Sequence, residues 1–401
     1  MQTLKVLLVH RYFWPDSPPY ASMLKCIAEE LALGDRDITV FSTQPSYKKA
    51  TSNADQPEFE TVRNVKIIRK TLWGFDSDSI FHRLCNSILF LCHLVIHVIA
   101  SPRYGVIVMS TVPQVFGPFV AALLARCSGA RFIYHCQDIH PEVAVFGGLL
   151  TSKLICWLLL HIDNITIALA HKVVVVSDDM KLTLIARGPI REHKIIVISN
   201  FELPDFSGQE KSFLSLAPKR NKFRLLFAGN VGKFQKLDLI IDAMSKIGPR
   251  SDIELFILGD GQAKQALQEK VKQYNLDNVT FFGHQKLGLA KVMMREADLC
   301  LVTLAPNMYR VAFPSKTITI LAQGSPILAC LEKESSLASM VINNDLGFHV
   351  EMTNSDDIAN VILRAYQQSS RSEDVRINCK SFYNVHFRTD NILNSWSDLI
   401  H

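Results

Sequence analysis

Ser315 and Lys316 stand between Pro314 and an apolar stretch, Ile318 to Ala322, that closes at Gly324 and Pro326. A hydroxyl and an ammonium at a helix start suit phosphate oxygens. The first helical turn leaves backbone N–H groups unpaired and carries partial positive charge. Ser315 is the expected N-cap, Gly324 the expected left-handed C-cap, and Pro326 to Cys330 the next buried strand. Taken alone, the segment also fits an ordinary turn with a surface lysine. Two more turns in the same half favour the phosphate reading: Phe227-Ala228-Gly229-Asn230-Val231-Gly232-Lys233 and Leu258-Gly259-Asp260-Gly261. Gly229 would let the main chain approach a diphosphate. Gly259, Asp260 and Gly261 would form a tight turn beside it. Phe282-Gly283-His284 ends the following apolar run, and its backbone is expected to face a base.

The first half offers a different chemistry. Asp138 closes the run Tyr134-His135-Cys136-Gln137, and His140 and Glu142 follow within the turn. A carboxylate or imidazole there can orient a hydroxyl or take its proton. The competing reading makes Asp138 a cap for a short helix at Pro141. Ser110 and Thr111 close another apolar run, and Arg11, Tyr12, Phe13 and Trp14 follow the first one. His93 and His97 stand on an apolar helix and read as core or rim, and no His/Cys cluster is present, so no metal is expected.

The elements that must hold these residues alternate. Expected strands are Leu4–Val9, Ile38–Ser42, Val65–Ile68, Val106–Met109, Phe132–His135 and Lys172–Ser177. Between them lie helices over 20–33, 80–100, 117–127 and 153–170. After a Pro-, Gly- and charge-containing stretch at 201–222, read as a linker, the alternation resumes at Phe223–Phe227, Glu254–Leu258, Val279–Phe282 and Leu299–Thr303. Helices are expected over 237–246, 262–274 and 287–296. This is α/β order with two doubly wound parallel sheets, and ligands bind such sheets beyond the carboxyl ends of the strands.

Composition sets the limits. The 401 residues suit two domains, and 48% hydrophobic residues are ample for two cores. A net charge of +5 does not suggest a nucleic-acid partner, but it suits anionic ligands and anionic lipid. The nine Cys form no CxxC pair and lie mostly in apolar runs, which reads as reduced core thiols in a cytosolic protein. No signal peptide is read at the start. Two helices, Leu84–Ala100 and Leu149–Leu160, are more apolar than one buried face requires, although neither is a clean span of about 20 apolar residues. They read either as core helices or as a surface lying on a membrane, with Arg83, Arg103 and Arg126 near their ends.

The order and spacing of these motifs, together with Val197-Ile198-Ser199-Asn200-Phe201 and Asn278-Val279-Thr280-Phe281-Phe282-Gly283, resemble one family over nearly the whole chain. It is the retaining glycosyltransferase family 4, and within it the bacterial O-antigen, capsule and colanic-acid branch (WbuB- and WcaI-like). The resemblance implies a GT-B fold: two Rossmann-like domains facing each other across a cleft, with the last helix returning to the first domain through Trp396 and Leu399. Residues 1–200 with about 386–401 would bind the acceptor, 201–222 would link, and 223–385 would bind the nucleotide sugar. It further implies an enzyme without a cofactor, a nucleotide-diphosphate sugar as donor with UDP favoured over GDP, and a polyprenyl-diphosphate-linked acceptor at the inner leaflet. An N-acetylated deoxyaminosugar is among the sugars it suggests. Arg11, Tyr12, Phe13, Trp14, Ser110 and Thr111 would then line the acceptor side.

The chain also departs from the family. Where an Arg and a Lys are usual after the glycine turn, it has Asn230 and Gln235. Where two Glu are usual, it has Val311 and Thr319. Charge must then come from Lys233, Lys236 and Lys316, and a Thr319 hydroxyl replaces a carboxylate. The loop usually rich in glycine reads Ser17-Pro18-Pro19-Tyr20. Two other readings stay open: an enzyme like UDP-N-acetylglucosamine 2-epimerase, and a non-catalytic partner subunit.

Overall fold

Apolar runs of four to eight residues dictate the architecture, because strands buried on both faces need no polar side. The computed structural model describes residues 3–16, 19–46, 55–73, 79–188, 190–203, 222–248 and 252–401. Most of the linker segment, 204–221, and Ser17 and Pro18 therefore lie outside the described residues. The chain divides into two units, Met1–Ser199 with Asp390–His401, and Asn200–Thr389.

The first unit holds β1 (Leu4–Val9), β2 (Arg36–Thr43), β3 (Phe59–Val62), β4 (Val65–Lys70), β5 (Val106–Ser110), β6 (Arg131–Cys136), β7 (Lys172–Val175) and β8 (Ile195–Val197). They form one sheet in the order β3-β4-β2-β1-β5-β6-β7-β8. All neighbours are parallel except β3, which pairs antiparallel with β4 at the edge. Val6, Leu7 and Leu8 are essentially inaccessible, as expected of a central strand covered by helices on both faces. The helix Ile80–Ala100 starts at Ser79, whose hydroxyl accepts from His82 N. Its inner stripe, Asn86, Phe90 and Leu94, is fully buried, and Phe90 packs on Phe41 of β2 at 5.7 Å between ring centroids. The last helix, Thr389–Ile400, belongs to this unit. Trp396 is buried 4.6 Å from the His135 ring, and Arg36 donates to Ser397 Oγ and O at 3.0 Å each.

The second unit holds β9 (Phe223–Ala228), β10 (Ile253–Leu258), β11 (Val279–Phe282), β12 (Leu299–Thr303), β13 (Ile327–Cys330) and β14 (Gly347–Val350). Its sheet is parallel throughout, in the order β11-β10-β9-β12-β13-β14. Helices Leu237–Ile247 and Ser355–Gln367 pack on one face around a core that includes Phe227, Ile240, Leu255 and Ile362. Both units carry the Rossmann-like sheets of the GT-B fold. Among the parallel strands, the order reverses between β1 and β5 in the first sheet and between β9 and β12 in the second. Those switch points are where open α/β sheets leave a crevice at the strand ends.

Candidate functional site

In the second unit three chain segments meet beyond β9 and β12. Gly229 follows β9 with φ +145°, and its amide bonds to Leu258 O at 2.9 Å. The turn after β10 lies directly against it: Val231 N donates to Asp260 O at 3.0 Å, and Ala263 N to Val231 O at 3.0 Å. Only glycine fits two of these positions. A Cβ on Gly259, whose φ is +134°, would fall 2.0 Å from Gly229 O, and one on Gly261 would fall 2.4 Å from Val231 O. The amide of Asn230 nests between Gly232 and Gly261. Asp260 braces the next turn, accepting from His284 N at 2.8 Å and from Lys264 Nζ at 2.5 Å. These contacts, Lys264 first, hold its carboxyl below the usual range. Gly283 lies beside the same carboxylate, and Phe282 packs edge-on against Phe256 at 5.0 Å.

Lys316 completes this group. Its Nζ sits 3.9 Å from the Phe227 ring centroid and donates to Gln235 Oε1 at 3.3 Å. Thr303 Oγ1, at the end of β12, donates to the same oxygen at 3.2 Å. Gln235 reaches there because the one-turn helix Lys233–Gln235 is tied to the segment just after β12 by Ala305 N to Phe234 O at 2.7 Å. No carboxylate pairs with Lys316 among the described residues, and burial lowers its ammonium to about 7. Lys233 and Lys236 are exposed on the same turn, with Lys236 in the left-handed region at φ +47°.

Two expectations for this segment need correction. Ser315 has helical φ and ψ and caps nothing with its hydroxyl, and the helix Lys316–Ala322 has only seven residues. The Pro-Ser-Lys segment therefore delivers a lysine side chain rather than a capped helix end. Gly324 does take the left-handed conformation, at φ +68°. Val311 is wholly buried and offers no polar group, while Thr319 is half-buried.

In the first unit the turn after β6 carries Asp138. Its carboxyl is half-buried, has no hydrogen-bond or ion-pair partner among the described residues, and is pushed up by burial to about 6. It does not cap the helix Glu142–Phe146, whose N-cap is Pro141. Burial lowers His140 to about 4, helped by Arg187. Glu142 corrects the sequence reading. Arg187 grips it through Nε to Oε1 at 2.7 Å and through Nη2 to Oε2, so its carboxylate is committed to an ion pair.

The residues expected on the acceptor side divide. Tyr12 and Trp14 are half-buried, and Lys25 lies 5.3 Å over the Trp14 ring. Arg11, Phe13, Ser110 and Thr111 are buried. The Arg11 carbonyl is taken by Ser42 Oγ at 3.0 Å and Thr43 Oγ1 at 2.8 Å. These four support the strand ends from beneath instead of presenting side chains. What sequence reasoning missed is the cluster that Ser110 belongs to. The Tyr20 hydroxyl bonds to His135 Nδ1 at 2.7 Å and to Ser110, and Gln137 Nε2 meets His135 Nε2 at 2.6 Å. Burial keeps His135 near 3 and His10 near 4, so both imidazoles are neutral. The sequence signal for it was faint: polar residues one step past buried strands.

Residues 208–382 match the family described as Glycosyl transferases group 1. The match covers 175 of the 401 residues, all in the second half of the chain. Among curated proteins, the chain is 26% identical over 256 residues to the probable glycosyltransferase WbjE of Pseudomonas aeruginosa, covering 62% of each chain. It is 26% identical over 243 residues to the putative colanic acid biosynthesis glycosyl transferase WcaI of Escherichia coli K12, covering 58% of this chain and 59% of that one. The chain thus spans about three fifths of the length of the curated relatives it matches. Among solved structures, HepE of Anabaena in complex with UDP and glucose superposes with a TM-score of 0.71 at 16% identity, over 99% of both chains. That likeness concerns the fold. The matched segment includes β9 to β14, and therefore the whole Gly229–Gly261–Lys316 group.

Proposed function

We propose that the protein is a retaining glycosyltransferase that moves a sugar from a nucleoside-diphosphate donor, UDP favoured, to a polyprenyl-diphosphate-linked sugar. The setting is assembly of a bacterial surface polysaccharide of the O-antigen or capsule type at the inner leaflet of the cytoplasmic membrane. The observation that carries this reading is the meeting of Gly229, the Gly259–Gly261 turn and Lys316 at the switch point between β9 and β12. A diphosphate would lie against the main chain of these closely packed turns, beside the Lys316 stem, which sits 3.8 Å from where a Cβ on Gly229 would stand. Lys316 is the cation at hand to stabilise charge on the departing nucleotide, with Lys233 and Lys236 on the adjoining turn. The match to group 1 glycosyltransferases and the names of WbjE and WcaI support the reaction class and its setting. The UDP held by HepE supports the donor class. Retention follows from the family resemblance.

Asp138 is assigned to the sugar or acceptor hydroxyl. With its carboxyl near 6 it is mostly ionised at neutral pH, and it has no other partner to release first. Glu142 is excluded from that role by Arg187.

An apolar surface on the first unit supports the membrane setting. Phe81, Leu84, Ile88, Ile96 and Ile99 are 54–75% exposed and fall three, four or eight apart, a single stripe along the helix Ile80–Ala100. Phe81–Ala100 is long and apolar enough to cross a bilayer. Its inner stripe, packed on the sheet, argues for lying on the surface instead. Leu149, Leu154 and Trp157, 55–77% exposed, are further exposed apolar side chains of the same unit, on the segment that follows the Asp138 turn. Such exposed area, with Arg83, Arg103 and Arg126 also exposed on this unit, suits an anionic bilayer.

The test is a panel of UDP- and GDP-sugars offered with and without a polyprenyl-diphosphate sugar, read by mass spectrometry of the lipid. Transfer that needs both substrates is expected. Conversion of the nucleotide sugar without any acceptor would favour an epimerase.

A further inference from the structure

A buried ion cluster lies behind the Asp138 turn. The Arg187 side chain is 5% exposed, and all its donors point inward. It bonds to both oxygens of Glu142, to His140 O at 2.8 Å and to Asp163 Oδ2 at 2.5 Å. Asp163, with a side chain 1% exposed on the helix Lys153–Leu169, also accepts from the Tyr134 hydroxyl at 3.2 Å. Tyr134 belongs to β6, the strand that leads into the turn. The contacts therefore form a closed circuit: strand, helix, guanidinium, turn. Residues 138–142 are held at both ends, while the Asp138 side chain touches none of the polar members.

A plain stabilising role does not account for this arrangement well. Burying three charges costs desolvation that the pairing roughly offsets, and apolar replacements of such clusters are often neutral. Burial works against the Arg187 charge, yet the two carboxylates hold its affinity for the proton above the ordinary value. What the cluster supplies that apolar side chains could not is direction, because a guanidinium fixes three acceptors in one plane.

We propose that Arg187 is the positioning residue of the Asp138 turn, holding the Asp138 carboxyl in its half-buried, partnerless place through His140 O and Glu142. The inference rests on the role proposed for Asp138. The charged and titratable groups around the turn are Tyr134 and Cys136 from β6, His140 and Glu142 within it, Asp163 from the helix, and Arg187. Cys136 Sγ donates to Asp138 O at 3.3 Å, and Arg187 is the charged group that bears directly on the backbone of the turn, through His140 O.

Two variants test it: Arg187→Lys, which keeps charge but loses the fork, and the triple change Glu142→Gln, Asp163→Asn, Arg187→Met, which leaves no unpaired charge. Circular dichroism establishes that each is folded. Carbon NMR then follows the Asp138 carboxyl, assigned by its loss in Asp138→Asn. In the unaltered protein it should titrate near 6. In the variants the turn relaxes toward water, and the titration should fall toward the ordinary value of about 4. Turnover should drop roughly 10²-fold with donor KM unchanged, as for a misplaced reacting group. Arg187→Lys should fall between the two. Folded variants that keep the Asp138 titration and kcat would overturn the proposal. If Asp138→Asn itself turns over normally, the catalytic role of Asp138 falls, and the titration alone still decides whether Arg187 positions the turn.

Discussion

The Lys316 ammonium lies 3.9 Å above the Phe227 ring and 3.3 Å from the Gln235 amide oxygen, with no carboxylate in reach among the described residues. A cation kept on a ring face and a single amide is held in place but only partly satisfied, and an arriving diphosphate would complete its set of partners. Lys316→Met should therefore weaken donor use by about 1.5–3 kcal/mol, roughly 10- to 150-fold in kcat/KM. Acceptor KM should stay unchanged. Steady-state kinetics with each substrate varied in turn checks this.

Donor binding should also take up a proton. Burial sets Lys316 near 7 in the free protein. A bound diphosphate raises that value, so between about pH 7 and the new value the complex holds one more proton than the free protein. Donor affinity should fall as pH rises through this window and level off below pH 6. Calorimetry at pH 8 in buffers of different ionisation enthalpy should report uptake, and Lys316→Met should abolish it.

The same arithmetic gives stability. A lysine whose folded value is depressed leaves the unfolded chain with more protons between about 7 and the ordinary 10.4, so its contribution to stability rises with pH there. Asp138 behaves oppositely to an ordinary paired carboxylate. Its folded value of about 6 exceeds the unfolded one, so the folded state binds more protons between about 4 and 6. Its contribution to stability is lost as pH rises through that window. Asp138→Asn should lower turnover roughly 10²-fold or more while raising stability at pH 7 by on the order of 1–2 kcal/mol. Turnover of the unaltered protein should fall as pH drops through about 6. A variant that loses stability instead would mark Asp138 as structural.

Gly261→Ala should disrupt the donor side from within. Its Cβ would meet Val231 O at 2.4 Å, and backbone cannot yield as a side chain does. The turns carrying Asn230 and Asp260 must part, with a stability cost of about 1–3 kcal/mol and a larger proportional loss in donor affinity. Thermal unfolding and donor titration on the same sample measure both.

Much of the fold was legible in the sequence because parallel strands buried on both faces read as continuous apolar runs. Leu4–Val9, Phe223–Ala228 and Leu299–Thr303 are such runs. The edge strand Phe59–Val62 was not legible, since an edge needs only alternate burial and its residues look like loop. Cys92 and Cys127 were expected in the core and are exposed, because their helices carry apolar side chains on the outer face as well. At the donor side, glycines that permit backbone contact were visible as motifs. The partnership of Lys316 with Gln235 and Thr303 was not, as it joins residues 68 and 81 positions from Gln235. Glu142 and Asp138 look equivalent in sequence. Arg187, 45 positions beyond Glu142, is what separates them.

The apolar surface makes its own prediction. Leu154→Glu with Trp157→Glu should leave the fold intact, because both side chains already face solvent. The change should release the protein from liposomes containing anionic lipid. The unaltered protein should float with such liposomes at low salt. Equal flotation of both proteins, or of neither, would remove these helices from the account.

The most direct measurement of the central claim is transfer itself. Purified protein, a UDP-sugar and a polyprenyl-diphosphate sugar should yield a lipid one sugar heavier together with free UDP. The yield should fall roughly 10-fold or more for Lys316→Met. No lipid product from any UDP- or GDP-sugar, or a product that forms equally well with Lys316→Met, would contradict it.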